Sequence, residues 1–249
     1  MFSNAYIFRF ASIMVIITAT LLSAAAVLLK PFQDRNIAIE KMQAILSASN
    51  IPSNRQNAIE LYNKYVVREL TINLRGEIVG IHSHVENVKT EPRAFNINIR
   101  QMLRDIEDYR ANLTEHEPLL PVFVVNRNGI TEYVFPLLGR GLWGPVWGNI
   151  ALATDLNTII GVSFDHRAET PGLGAEISTQ EFEQQFIGKK IFDHQGNFVS
   201  VQILRGGVAT GYHQVDALSG GTITCNGVSQ MLQTGLENYI PFFQKHREL

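Results

Sequence analysis

Residues 11–29, ASIMVIITATLLSAAAVLL, form an apolar run of nineteen residues without a charge, set between Arg9 and Lys30. As a helix the run would extend about 28 Å, close to the hydrocarbon thickness of a bilayer. The competing reading is a cleaved secretory signal, whose apolar region usually covers about 7–15 residues and ends in a small-residue cleavage zone. Ser23-Ala24-Ala25-Ala26 offers such residues, and a mature start near Ala26 would give a soluble secreted protein. The run exceeds that length, however, and Lys30 follows it directly. A retained transmembrane helix over 11–29, behind a short segment 1–10, is the expectation. Lys30, Arg35 and Lys41 outnumber Arg9 around the span, so the positive-inside rule would place the carboxyl side in the cytoplasm.

The remainder reads as one α+β domain on that tether, with membrane-proximal helices and first strands over 30–118 and a core over 119–249. Ile37, Met42, Ile45 and Leu46 give 31–48 an incomplete helical face, and Ile51-Pro52-Ser53 interrupts it. A short helix over 54–65 precedes the strand-like alternation of 66–84, and 93–110 is polar and partly helical. LLPVFVV (119–125) and 131–135 form a hairpin around Asn126-Arg127-Asn128-Gly129. Strands follow over 147–153 and 158–164, then a brief helix over 180–186, while 206–212 is too glycine-rich for a regular element. Val228, Met231, Leu232, Leu236, Tyr239, Ile240 and Phe243 recur at helical spacing and predict one last helix, with Asn226-Gly227 just before it.

A formal net charge of -2 over 249 residues provides no positive field for nucleic acid. Cys225 is the only cysteine, which excludes an internal disulfide and a cysteine-ligated cluster; a small buried filler is its expected role. His82 and His84 would share one face of a strand, but a metal site needs three or four convergent ligands, so no metal is expected. No G-x-G-x-x-G follows a strand, so nothing here reads a dinucleotide.

Two segments carry more glycine and hydroxyl than packing requires. DALSGGTIT (216–224) lies just before the last helix. Its glycines let backbone approach a ligand, the helix start supplies unpaired N–H groups suited to phosphate, and Ser219, Thr222 and Thr224 can donate to phosphate or be esterified by it. Thr224 as a helix cap on a plain loop would account for the same residues. HRAETPGLG (166–174) offers a carboxylate, a hydroxyl, turns around Gly172 and Gly174, and one apolar side chain. Such a set suits a flat heterocycle with polar edges, and suits a surface hairpin as well.

Together and in this order, the two segments resemble the FMN-binding domains of the C subunit of the sodium-translocating NADH:quinone reductase and of the G subunit of the Rnf complex. Chain length, the long segment after the anchor and GLWGPVWGNIAL favour the sodium-translocating reductase. DALSGGTIT is similar to the family's Asp-x-x-Ser/Thr-Gly-Ala-Thr/Ser motif. The match places Asp216, Ser219, Gly220 and Thr222 on motif positions and implies FMN joined covalently, through its phosphate, to Thr222. Gly221 stands where the family usually has alanine and should fit the same space. Thr224 is the minor candidate for attachment. By the same resemblance Glu169, Thr170, Leu173 and Gly174 are non-covalent flavin contacts, and GRGLWG brings Leu142 and Trp143 near the cofactor. Arg205 could face the phosphate.

What the resemblance implies is an electron relay: no substrate-activating base stands in either motif, and no independent dehydrogenase activity or catalytic residue is expected. Electrons from NADH would reach this FMN from other subunits of a membrane complex and pass on to quinone, coupled to sodium export. A flavin transferase using FAD would attach the FMN. The implied location is the outer, periplasmic face of the bacterial inner membrane, against the charge count. A flavin-free binding or sensor module of one span is the reading from another class.

Overall fold

The computed structural model describes residues 3–206 and 211–247, in two compact units, Met1–Lys41 and Met42–Leu249. Residues 207–210, within the glycine-rich stretch 206–212, lie outside the described residues. In the first unit one helix, α1 (Asn4–Ala48), begins and runs on past Lys41. It is long and apolar enough to cross a membrane, with a window of mean hydropathy 2.4 and no residue of that window buried. Val15, Leu22, Val27 and Leu28 all stand exposed. Lys30 pairs with Asp34 one turn on, at 2.5 Å, just past the apolar run.

The second unit is built on a seven-stranded antiparallel sheet in the order β3-β2-β1-β4-β5-β6-β7. Its strands are β1 (Val66–Asn73), β2 (Ile78–Ser83), β3 (Val88–Lys89), β4 (Leu119–Arg127), β5 (Ile130–Arg140), β6 (Pro145–Leu152) and β7 (Ile159–His166). The helices are α2 (Ala58–Tyr65), α3 (Ile99–Arg110), α4 (Gln180–Gln184), α5 (Thr222–Glu237) and α6 (Ile240–His246). Two short strands, β8 (Gln202–Leu204) and β9 (Gln214–Asp216), pair in parallel before α5. The fold is therefore α+β, as its sequence pattern predicts.

Strand β4 shows why the central strands read as unbroken apolar runs rather than as alternation: both faces of the sheet are covered. Leu120, Val122 and Val124 belong to the larger core, which holds Phe135, Ile150, Phe182 and the buried residues of α5 and α6. Phe123 and Val125, one residue out of phase, belong to a smaller core with Ile45, Leu46 and Tyr62. The line between 118 and 119 runs through this sheet, since β1 pairs with β4 along its whole length. The β4–β5 turn has Asn128 at φ 55° and Gly129 at φ 84°, the two positive values a two-residue hairpin turn with right-handed twist requires.

The end of the chain departs from the expected single helix in two ways. Gly227 is no helix boundary: α5 starts five residues earlier, at Thr222. Gly227, Met231 and Gly235, spaced by four, form the face that lies on β5. A Cβ on Gly227 would run into the Arg140 carbonyl, one on Gly235 would come within 2.8 Å of Leu137, and one on Gly139 within 2.6 Å of Met231. Glycine is thus placed by tertiary contact. The helix then breaks before Ile240, where Pro241 occupies the first turn of α6, the position at which a missing N–H costs least. This close crossing fixes the start of α5 beside the end of β5.

Candidate functional site

Three chain segments meet at that end of the sheet: the turn 141–144 after β5, the loop 167–174 after β7, and the turn 217–221 into α5. Between them lies a cavity of about 320 Å³ lined by Leu142, Glu169, Thr170, Leu173, Gly174, Arg205, Gly220, Gly221, Thr222, Ile223 and Thr224. A larger groove of about 430 Å³ at the opposite end of β4 and β5 contains Arg68, Glu86, Asn126 and Tyr133. It shares no residue with the two motifs.

Each wall has a local cause. Gly220 has φ +73°, and a Cβ there would collide with the Leu173 side chain. This turn can therefore approach the 167–174 loop only as glycine. Gly221, at φ -98° and ψ 22°, precedes α5 with no side-chain cap and no acidic residue in the first turn. The helix start accordingly presents backbone N–H groups and a positive dipole end toward the cavity. Leu218 donates its N–H to the Cys225 sulfur at 3.4 Å, which braces the turn from beneath. Cys225 is 1% exposed, and burial pushes its thiol up.

The 167–174 loop is folded back on itself. Leu173 and Ala175 both donate to the Thr170 carbonyl at 3.1 Å, Gly172 takes φ +75°, and its N–H reaches Glu176 at 2.8 Å. Leu173 is left 42% exposed, and with Leu142, Trp143 and Ile223 it forms an apolar rim. Glu169, by contrast, is buried. One of its oxygens accepts the Trp143 N–H at 2.9 Å and the other the Thr224 hydroxyl at 2.5 Å.

Nine of the residues singled out in the sequence thus line one cavity. Thr222 is half-buried at the first position of α5, while Thr224 is buried with its hydroxyl bonded to Glu169. Ser219 is exposed on the turn and Trp143 on the rim; neither lines the cavity, although the Trp143 N–H donates to Glu169. Arg205 is exposed at the end of β8 and does line it. Ile223 joins them without having been singled out by either motif. Its signal in the sequence is an apolar residue between two threonines, but only the early start of α5 turns it to the rim. His82 and His84 stack edge-on at 5.0 Å on the β2 side, and among the described residues no group of histidine, cysteine and carboxylates could hold a metal.

Residues 141–237, which include all three walls, match the family described as FMN-binding domain. The C subunit of the Na(+)-translocating NADH-quinone reductase of Haemophilus ducreyi is 30% identical over 237 residues, covering 93% of this chain and 90% of its own length. Its counterpart in Chlamydia trachomatis is 28% identical over 285 residues, covering 94% and 90%. Among solved structures, the crystal structure of the same subunit from Parabacteroides distasonis is 38% identical with a TM-score of 0.72, covering 86% of this chain and 96% of that one. NqrC of Shewanella oneidensis is 27% identical with a TM-score of 0.65, covering 84% and 98%.

Proposed function

The chain belongs to the family of the C subunit of the Na(+)-translocating NADH-quinone reductase, and on that premise we propose that its cavity holds FMN, esterified through the phosphate to Thr222. The protein is then an electron-carrying subunit of a membrane NADH:quinone reductase that works with the other subunits of that complex. When bound, the flavin supplies the capacity to accept and release electrons; the chain binds, orients and shields it. The observation that carries the reading is the placement of Thr222, a hydroxyl at the uncapped start of α5 on the wall of a glycine-lined cavity.

The residues fit such a group. The first N–H groups of α5 are oriented for a phosphate, and the exposed Arg205, in the lining of the same cavity, adds a positive charge. Leu142, Leu173 and Ile223 offer an apolar surface for a ring system. Gly220 and Gly221 let the turn into α5 close against Leu173, which brings the helix start to the cavity. In the attachment step the Thr222 oxygen forms a bond to the flavin-side phosphorus of FAD. The pyrophosphate bond breaks, AMP leaves, and the hydroxyl proton is released to solvent or to the transferase. Thr224 does not compete well for that step, since its hydroxyl is enclosed and already donates to Glu169. Helix α1 serves as the membrane anchor, with the domain on the outer face.

The test is in-gel flavin fluorescence of the denatured chain beside Thr222→Val, both coexpressed with a flavin transferase. A fluorescent wild-type band that disappears in the variant is expected. A dark wild-type band, with the transferase active on a control protein, would overturn the covalent assignment. A reporter fused after Leu249 should be active only on the outer side.

A further inference from the structure

We propose that Glu169 is a positioning residue, whose carboxylate sets the orientation of the α5 start and thereby delivers the Thr222 hydroxyl for attachment; the role rests on the covalent-flavin function proposed for the cavity. Glu169 sits where the three cavity walls meet and is 5% exposed. Its Oε2 accepts the Thr224 hydroxyl from α5, its Oε1 accepts the Trp143 N–H from the 141–144 turn, and its own N–H donates to His166 Nδ1 at 3.2 Å. Two glycines leave the space that the carboxylate fills. A Cβ on Gly141 would stand 2.5 Å from Oε1, and one on Gly174 2.7 Å from Oε2. Among the described residues no lysine or arginine pairs with it, so neutral donors alone hold the charge.

The resemblance implies a flavin contact for this residue, yet each carboxylate oxygen is already engaged by a protein donor. The geometry therefore points to an action through Thr224. Thr224 is two residues beyond Thr222 in the first turn of α5, and successive residues of a helix are separated by a fixed rotation of about 100°. Anchoring Thr224 on the inner side consequently fixes which way Thr222 faces. No side-chain cap at Gly221 performs that task. A glutamine at 169 has one acceptor oxygen and one donor amide; with its oxygen on the Trp143 N–H it can only donate to the Thr224 hydroxyl, which reverses that bond and replaces a charged acceptor by a neutral amide.

The test is the initial rate of covalent flavin incorporation into the full-length chain by a purified flavin transferase with FAD, per folded molecule, the folded fraction read from circular dichroism melts. Glu169→Gln and Thr224→Val are expected to remain folded and label at least about tenfold more slowly, the worth of one hydrogen bond to a charged group. The KM for FAD should not move, because FAD binds the transferase. Thr224→Ser, which keeps the donor, should restore labelling to near the wild-type rate. Wild-type rates in Glu169→Gln and Thr224→Val, or a serine variant as slow as the valine one, would overturn the role while leaving the flavin assignment intact. Should Glu169→Gln fail to fold, the valine and serine pair decides alone. An unlabelled wild type would instead overturn the function itself, and the role with it.

Discussion

Two of the domain's buried carboxylates, Glu69 and Glu169, are held with similar care and in opposite company. Glu69, 2% exposed on β1, receives the Tyr62 hydroxyl at 2.9 Å, the Phe95 N–H at 3.2 Å and two contacts from the Arg93 guanidinium, at 2.8 and 2.5 Å. Burial beside that carboxylate pushes the Tyr62 hydroxyl well up. Glu169, as deeply buried, has only a hydroxyl and a backbone N–H. The first is a closed ion pair packed under Tyr62 and Phe95. The second forms the wall of an open cavity, with Gly141 and Gly174 cut away to admit it. A charge that only has to be buried is neutralised. One held by neutral donors beside a cavity is being used for its geometry, at some expense in stability.

The sharpest way to break that contrast is to remove Arg93. Arg93→Ala leaves Glu69 buried without its counter-charge and should cost about 3–5 kcal/mol, read as a fall in thermal midpoint. Whatever fraction stays folded should take up flavin at the normal rate per folded molecule. A folded Arg93→Ala protein that labels poorly would show the two carboxylates to be one coupled system.

Next in size is Gly227→Ala. A methyl there meets the Arg140 carbonyl, so α5 must lift from β5, with an expected loss of about 1–3 kcal/mol. Because Thr224 rides on the same helix, labelling should fall too, in contrast to Arg93→Ala. Full labelling would mean that Glu169 can follow the helix as it moves.

This glycine also marks how far the sequence can be read. Motif chemistry is local, so DALSGGTIT and HRAETPGLG stand out, and the structure brings both to one cavity. The strands are legible because apolar runs bounded by turn residues signal them whichever face is covered. What stays hidden are features whose cause is distant in the chain. Gly227 looks like a helix boundary until the Arg140 carbonyl is seen beneath it. Pro241 is the exception: the break before it has a local cause, the missing N–H, and the apolar spacing that runs across it masks the signal. The two donors that hold Glu169 come from residues 143 and 224, so HRAETPGLG alone does not show them.

Glu183 supplies a third case, a partly buried carboxylate with one donor, the Phe164 N–H at 2.7 Å. Burial, with Asp165 nearby, raises its pKa from the ordinary 4.5 to about 7. Since the folded state holds the proton more tightly, the folded protein is favoured at low pH. Stability should decline as pH rises from about 4.5 to about 7 and level off above. Glu183→Gln should remove that slope and stabilise the protein above pH 7 by about 1 kcal/mol, once the shift is discounted for its partial exposure. Melts across about pH 5 to 8 read this directly, and an unchanged slope would assign the titration elsewhere.

The smallest effect is expected at Gly221, on the turn that Glu169 helps to hold. Its φ of -98° is open to any residue, so its conformation does not demand glycine. An added Cβ would stand 3.2 Å from Leu218 Cβ and 3.3 Å from the Leu173 carbonyl, a fit needing shifts of a few tenths of an ångström. The loss of unfolded-state freedom on going from glycine to alanine favours the folded form by about 0.4–1 kcal/mol, and the crowding offsets part of it. Gly221→Ala, which restores the residue usual in the family, should therefore change the melting midpoint little and label as well as wild type. A large gain in labelling would mean that glycine leaves this turn too loose, so that Glu169 alone does not fix the start of α5. A clear loss would mean that Leu218, held by Cys225, cannot give way, and that this chain has repacked the turn around the missing methyl.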